Sequence, residues 1–295
     1  MLVGIQEAAE LFRHGEVVAF PTETVYGLGA DATNSSAVKK IYSLKGRPSE
    51  NPLIVHVANP SNIEKWAVFS PKSRVREQLH RLESLWPGPL TVVLPNCQGF
   101  CREVTAGRPS AGFRIPDHEI ALQLLEQTGV PIAAPSANKS NYVSATSVQH
   151  VIDCFGLDLP ILDGGCSPIG IESTIVALHE DRAPELLRPG FVGVAEIQAA
   201  LGDEVVVREN IRLHGETPDS PGQYKRHYSP RTPIKLFQKS TQNWGDLPGR
   251  VGVITFSLGV TFAHFPSSVS VVHETLSHCG DIHEAGKNLY TVLRK

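Results

Sequence analysis

Lys45 and Arg47 flank a single glycine and are followed by Pro48 and Pro52, so two cations sit side by side on a stiffened loop. Lysine supplies a point charge and arginine a planar fork, a combination suited to an anion with several oxygens; an exposed basic turn is the alternative reading. The Gly-x-x-x-x-Gly-Lys-Ser/Thr spacing is absent, so any phosphate cradle here is not a Walker loop. A second cluster, Thr22, Glu23, Thr24 and Tyr26, follows an apolar run and is closed by Gly27 and Gly29. It reads either as a ligand loop at a strand end or as a tight turn whose side chains satisfy one another. His56 and Arg114 fall inside apolar runs, where each is a hydrogen-bonded core residue or a site residue; a buried guanidinium demands an anionic partner, and a ligand carboxylate would serve. Ser136 and Asn138 add small donors and Arg188 one more cation at further strand ends, and Ser173 and Thr174 put two hydroxyls at a strand start. No Ser/His/Asp order, nucleophile elbow or Cys/His pair accompanies them. The chemistry indicated is therefore binding and orientation of anionic reactants without a covalent protein intermediate.

These clusters need a scaffold that presents strand ends. Apolar runs at 17–20, 53–57, 90–94, 112–115, 131–134, 160–163, 173–178, 185–188 and 204–207 read as strands. Amphipathic stretches at 5–14, 35–44, 61–67, 71–85, 117–128, 145–154 and 193–201 read as helices, with Gly15 after the first and Asn34 or Ser35 capping the second. Several strands join directly, so an α/β fold with a twisted mixed sheet is expected rather than a strict doubly wound one. The periodicity stops from 209 to 233, where turn formers dominate and a linker is expected. Strands at 251–256 and near 269–272 and a helix at 282–293 follow, a unit of about 60 residues that is thin for a core of its own. The expected organisation is a catalytic domain over 1–208, a linker or lid over 209–233, and a small α/β C-terminal domain over 234–295. That last unit is expected to be truncated or to borrow a partner surface.

Bulk properties remove other classes. The 295 residues carry 27 Lys and Arg against 30 Asp and Glu, a formal charge of −3 that gives no global case for nucleic-acid binding. Lys72, Arg74, Arg76 and Arg81 share a helical pattern with Val75, Leu79 and Leu82, and read as a solvated face before an RNA contact. Five cysteines without framework spacing point to a reducing compartment and plain thiols, and Cys97 and Cys101 lack a second pair to complete a zinc site. No long apolar run or signal-like start occurs, so no membrane span and a cytoplasmic location are expected.

Taken together and in order, Pro21-Thr22-Glu23-Thr24-Val25-Tyr26-Gly27-Leu28, Lys45-x-Arg47, Trp86-Pro87-Gly88-Pro89-Leu90-Thr91, Ala134-Pro135-Ser136-Ala137-Asn138 and Glu172-Ser173-Thr174 resemble the YrdC-like family over residues 5–208. The stretch from Ser220 to Pro230, with His227 and Tyr228, resembles the linker of its two-domain threonylcarbamoyl-AMP synthases. The resemblance implies a nucleotidyltransferase that makes L-threonylcarbamoyladenylate from L-threonine, bicarbonate and ATP and releases pyrophosphate, for threonylcarbamoyladenosine modification of tRNA. By the same resemblance Thr24, His56, Arg114, Ala134 and Ser173 or Thr174 hold threonine. Lys45, Arg47, Asn51, Ser110, Ser136, Asn138, Ser144 and Arg188 hold ATP, with Lys45 and Arg47 catalytic and His227 and Tyr228 on a lid. Mg²⁺ accompanies the ATP, with no protein ligand assigned to it. The product passes to a tRNA threonylcarbamoyl transferase, and direct tRNA contact is left open. The family's C-terminal domain continues with further strands and helices beyond the helix near Arg294. Two rivals are an RNA-binding or regulatory module without catalysis, and an enzyme that uses carbamoyl phosphate.

Overall fold

The computed structural model describes residues 1–207, 229–236, 249–258 and 268–295. Short strands and amphipathic helices alternate as β1 (Leu2–Val3), α1 (Ile5–Arg13), β2 (Val18–Phe20), β3 (Gly27–Asp31), α2 (Ser35–Lys45), β4 (Ile54–His56), α3 (Arg74–Leu82), β5 (Leu90–Leu94), α4 (Arg102–Thr105) and β6 (Ala111–Arg114). They continue as α5 (Glu119–Thr128), β7 (Ile132–Ala133), α6 (Val148–Phe155), β8 (Ile161–Leu162), β9 (Thr174–Ala177), β10 (Glu185–Arg188), α7 (Val194–Leu201), β11 (Val206–Val207), β12 (Arg250–Ser257), β13 (Ser270–Ser277) and α8 (Ile282–Arg294). The first 11 strands form one sheet in the order β1-β8-β2-β3-β7-β4-β6-β5-β9-β10-β11. β4 and β6 run parallel, as do β5 and β9, whereas β4 with β7 and β5 with β6 are antiparallel. The expected mixed sheet is therefore the fold.

Local chemistry explains the element ends. Asn34 caps α2 by accepting from the backbone N–H groups of Ser36 and Ala37, and Gly46 ends the helix in the left-handed region at φ 62°. Ser73 and Ser147 cap α3 and α6 in the same way. Residues 61–67 differ from expectation: Pro60–Lys65 is a 3₁₀ turn.

β3 is the main departure. Gly27 and Gly29 read as the close of a turn, yet they belong to a strand paired with β2. The reason is space. A Cβ on Gly27 would lie 2.9 Å from the Phe20 ring, and one on Gly29 would lie 2.8 Å from Ile132 Cγ2. Glycine here lets the strand pass between packed side chains, so it marks close approach instead of chain reversal.

Strand alternation divides the side chains between two faces. Val55 and Phe113 enter the larger core with Ile41, Leu79 and Leu90, on the opposite face from their neighbours in sequence. The second core, built by Phe12, Ala121, Leu124, Phe20 and Ile132, places α1 and α5 over part of the other face. Truncating a fully buried residue such as Phe12 to alanine costs about 3–5 kcal/mol. Farther along that second face Ile54, His56, Gly112 and Arg114 stand in register on β4 and β6.

β12 and β13 pair in parallel as a separate two-stranded sheet. Helix α8 is capped by Asp281, whose carboxylate accepts from the Glu284 N–H, and it packs along β13. Its Tyr290, with Leu289 and Leu293, clusters with Val25 and Val143 of the first unit.

Candidate functional site

An open cavity lies on the second sheet face, lined by Thr22, Arg47, Ile54, His56, Arg114, Ala134, Ser136, Glu172, Ser173 and Arg188 among others. A neighbouring cavity shares Ile54 with it and is lined by Ser110, Arg108, Thr91, Gly112 and Ile175 among others. Both arise from period-2 alternation: Ile54 and His56 on β4, Gly112 and Arg114 on β6, and Thr91 and Ile175 on β5 and β9 point to one side. The structure therefore brings Arg47, His56, Arg114, Ala134, Ser136, Ser173 and Arg188 to one cavity and Ser110 to the adjoining one.

The turn after β2 is self-satisfied. The Thr22 hydroxyl donates to the Val25 carbonyl at 2.6 Å and lies 2.9 Å from Thr24 Oγ1. Thr24 is fully buried, and Thr22 is the threonine of the pair that lines the cavity. Ser173 Oγ hydrogen-bonds Thr91 Oγ1 at 2.8 Å, and Arg188 donates to the Ser173 carbonyl from Nε and Nη2 and to its Oγ from Nη2. The Thr174 hydroxyl instead donates to the Val192 carbonyl at 2.8 Å. Of the two adjacent hydroxyls, Ser173 is the one at the cavity.

Arg114 does not wait for a ligand carboxylate. Its Nη2 lies 2.7 Å from Glu23 Oε2, and both side chains are buried. The expectation that a ligand would be its anionic partner is corrected in this respect: low local dielectric requires a charge partner before any ligand arrives, and Glu23 provides it. Five guanidinium N–H groups leave capacity for a second carboxylate, and Arg114 Nε is buried without a hydrogen-bond partner. His56, edge-on to the Phe20 ring, is held down to about 3 by burial and then by Arg114, so its imidazole is neutral at neutral pH. It is both a core histidine and a cavity wall.

The loop after β7 is zipped to β3 by Leu28 N–H to Pro135 carbonyl and Ala137 N–H to Tyr26 carbonyl bonds. The Lys45 ammonium, at the end of α2, donates to the Ser136 carbonyl at 2.5 Å and to the Asn138 carbonyl. Burial, and then Arg47, push its pKa well below the ordinary lysine value. Arg47 donates to the Asn51 and Pro52 carbonyls, which fixes its fork beside the cavity. Asn51 Oδ1 and Asn138 Oδ1 are buried without a hydrogen-bond partner, while Asn138 Nδ2 bonds the Lys139 and Tyr142 carbonyls. Ser144 donates to Glu172 Oε1.

His227 and Tyr228 lie outside the described residues, as does most of the expected linker. Its described piece touches the loop beside Asn138: Ser229 N–H donates to the Asn141 carbonyl, and Arg231 lies against the Tyr142 ring and hydroxyl. The basic face of α3 is engaged within the chain, Arg74 with Asp203, Arg76 with Glu64, and Arg81 with the Leu201 carbonyl. The Cys97 thiol is pushed up to about 12 by burial, as a plain buried thiol should be. Among the described residues no cluster of three or more His, Cys, Asp or Glu could hold a metal, and no helix is long and apolar enough to cross a membrane.

Three contributors escaped sequence reasoning. Glu23 was visible only as a polar residue of its motif, Thr91 as part of a strand, and Tyr290 as one position of an amphipathic helix 118 residues from its partner Glu172.

Comparison with known proteins meets this geometry. The family model for Sua5, YciO and YrdC, described as "Telomere recombination", matches residues 10–190, and that of the threonylcarbamoyl-AMP synthase C-terminal domain matches residues 192–295. Threonylcarbamoyl-AMP synthase of Bacillus subtilis is 44% identical over 261 residues, covering 85% of this chain and 73% of the relative. That of Schizosaccharomyces pombe is 36% identical over 332 residues, covering 98% and 80%. A crystal structure of Pyrococcus abyssi Sua5 complexed with L-threonine superposes with a TM-score of 0.79 at 32% identity, covering 100% of this chain and 88% of that one. Motifs on one sheet face, both family models and these identities lead to one conclusion: the chain belongs to the Sua5/YciO/YrdC family.

Proposed function

We infer that this chain synthesises L-threonylcarbamoyladenylate from L-threonine, bicarbonate and ATP, with release of pyrophosphate. The observation that carries the reading is the cationic, hydroxyl-lined cavity at Arg47, His56, Arg114, Ser173 and Arg188 in a chain 44% identical to a threonylcarbamoyl-AMP synthase.

In the proposed mechanism Arg114, already paired with Glu23, takes the threonine carboxylate on its remaining donors. Neutral His56 and the Ser173 hydroxyl border the same cavity, and a neutral imidazole adds no charge to compete for that carboxylate. The unprotonated threonine amine attacks the carbon of bicarbonate, and as the N–C bond forms a C–O bond breaks and hydroxide leaves as water with the amine proton. Attack on carbon dioxide instead opens one C=O bond and releases the amine proton alone, and either route gives N-carboxythreonine. A carbamate oxygen then attacks the α-phosphorus of ATP in line. The new O–P bond forms as the α–β bridging bond breaks, and pyrophosphate departs with its electron pair. Arg47 and Lys45, with Ser136 and Asn138 on the loop that Lys45 braces, stabilise charge developing on the phosphate oxygens. Asn51, Ser110, Ser144 and Arg188 complete the proposed nucleotide contacts, and Mg²⁺ arrives as part of the triphosphate substrate.

The domain division at the linker, a lid role for His227 and Tyr228, a cytoplasmic location and transfer of the product to a tRNA threonylcarbamoyl transferase belong to the same proposal. The test is pyrophosphate release with ATP, bicarbonate and threonine, omitting each in turn. Release only with all three is expected. Release without threonine, or none with the full set, overturns the reading.

A further inference from the structure

Helix α8 of the second unit reaches a residue of the cavity wall. Tyr290 OH donates to Glu172 Oε2, while Ser144 donates to Oε1 of the same carboxylate. Glu172, Ser144 and Tyr290 are all buried, and Glu172 lines the larger cavity. A carboxylate with both oxygens engaged is fixed in position, and removing one donor leaves a buried oxygen lone pair without its partner.

The same helix braces both loops that carry this network. Arg294 donates to the Val143 carbonyl at 2.6 Å and to the Ser144 carbonyl at 3.1 Å. On the other side Gly170, at φ 78°, abuts Lys287: an added Cβ would lie 2.5 Å from the Lys287 carbonyl oxygen, so the approach is backbone to backbone. Glu172 therefore joins α8 to the wall of the cavity proposed to take the reactants.

We propose that Tyr290 is a positioning residue for nucleotide binding: through Glu172 it holds Ser144 and the cavity wall in their binding arrangement, so that α8 forms the outer support of the catalytic site. The proposal rests on the nucleotide reading given above. Tyr290 touches no reactant in it and acts through Glu172.

The experiment is a double-mutant cycle in the full chain with Tyr290→Phe, Glu172→Gln and the combined variant. ATP binding is measured by calorimetry, and the KM for ATP and kcat by threonine-dependent pyrophosphate release. Phenylalanine keeps the packing against Val25 and Val143 and removes only the hydroxyl. The expected loss for Tyr290→Phe is about tenfold in ATP affinity, the scale of one hydrogen bond to a carboxylate, with kcat changed less than KM. In the Glu172→Gln background the same substitution should cost little more, because its route is already cut. Unchanged ATP affinity in Tyr290→Phe overturns the proposal, as do fully additive losses in the cycle. The unmodified chain separates the two readings: absence of its threonine-dependent turnover would overturn the function, whereas normal turnover with no effect of Tyr290→Phe would overturn only this inference.

Discussion

Arg114 and Glu23 form a buried ion pair, with Nη2 and Oε2 2.7 Å apart, at the wall of the cavity proposed for threonine. Neither charge has solvent to fall back on, so each holds the other in the folded state. Removing one partner strands the other, which costs about 3–5 kcal/mol. Glu23→Ala and Arg114→Ala should each lower the stability read by urea unfolding on that scale. The paired replacement Glu23→Gln with Arg114→Met should recover part of the loss while threonine-dependent turnover stays abolished. Recovery of turnover in the paired variant would refute the carboxylate-binding role of Arg114.

Arg47 lines the cavity from a loop whose carbonyls it also binds. Arg47→Ala should lower kcat/KM for ATP about 10²-fold, a loss of about 3 kcal/mol in transition-state stabilisation. Lys45→Ala should lose at least as much, because the Ser136–Asn138 loop loses its brace as well. Steady-state pyrophosphate release checks both. Unchanged rates would remove these two residues from the mechanism.

Lys45 has a depressed pKa because burial and the Arg47 charge disfavour the ammonium. A bound polyphosphate acts in the opposite sense and raises that pKa. Nucleotide binding at pH values above the free-state pKa should therefore take up protons. Calorimetry in buffers of different ionisation enthalpy measures the uptake, and Lys45→Met should lack it.

His56 gives the acid limb of stability. Its folded pKa of about 3 lies below the ordinary histidine value, so between about 6.5 and 3 the unfolded chain binds a proton that the native chain does not. Stability is thus fully present above about pH 6.5 and falls as the pH drops through that window, by about 3 kcal/mol at pH 4.5. His150, held to about 4 by burial and by Arg294, adds slope in the same range. Urea unfolding at pH 7 and 4.5 should show this decline, and His56→Gln should flatten it.

What the sequence revealed depended on period and local chemistry. Strand and helix patterns, caps such as Asn34 and the ordered polar motifs are set by residues within a few positions of one another, so the mixed sheet and most cavity residues were legible. Gly27 and Gly29 misled because a glycine is the same letter whether it reverses the chain or slips a strand past Phe20 and Ile132. Tertiary structure alone decided which polar groups satisfy each other: Glu23 with Arg114, Ser173 instead of Thr174 at the cavity, and Tyr290 with Glu172 across 118 positions. Buried charges and hydroxyls take partners wherever folding brings a complementary group, and no spacing rule records that choice.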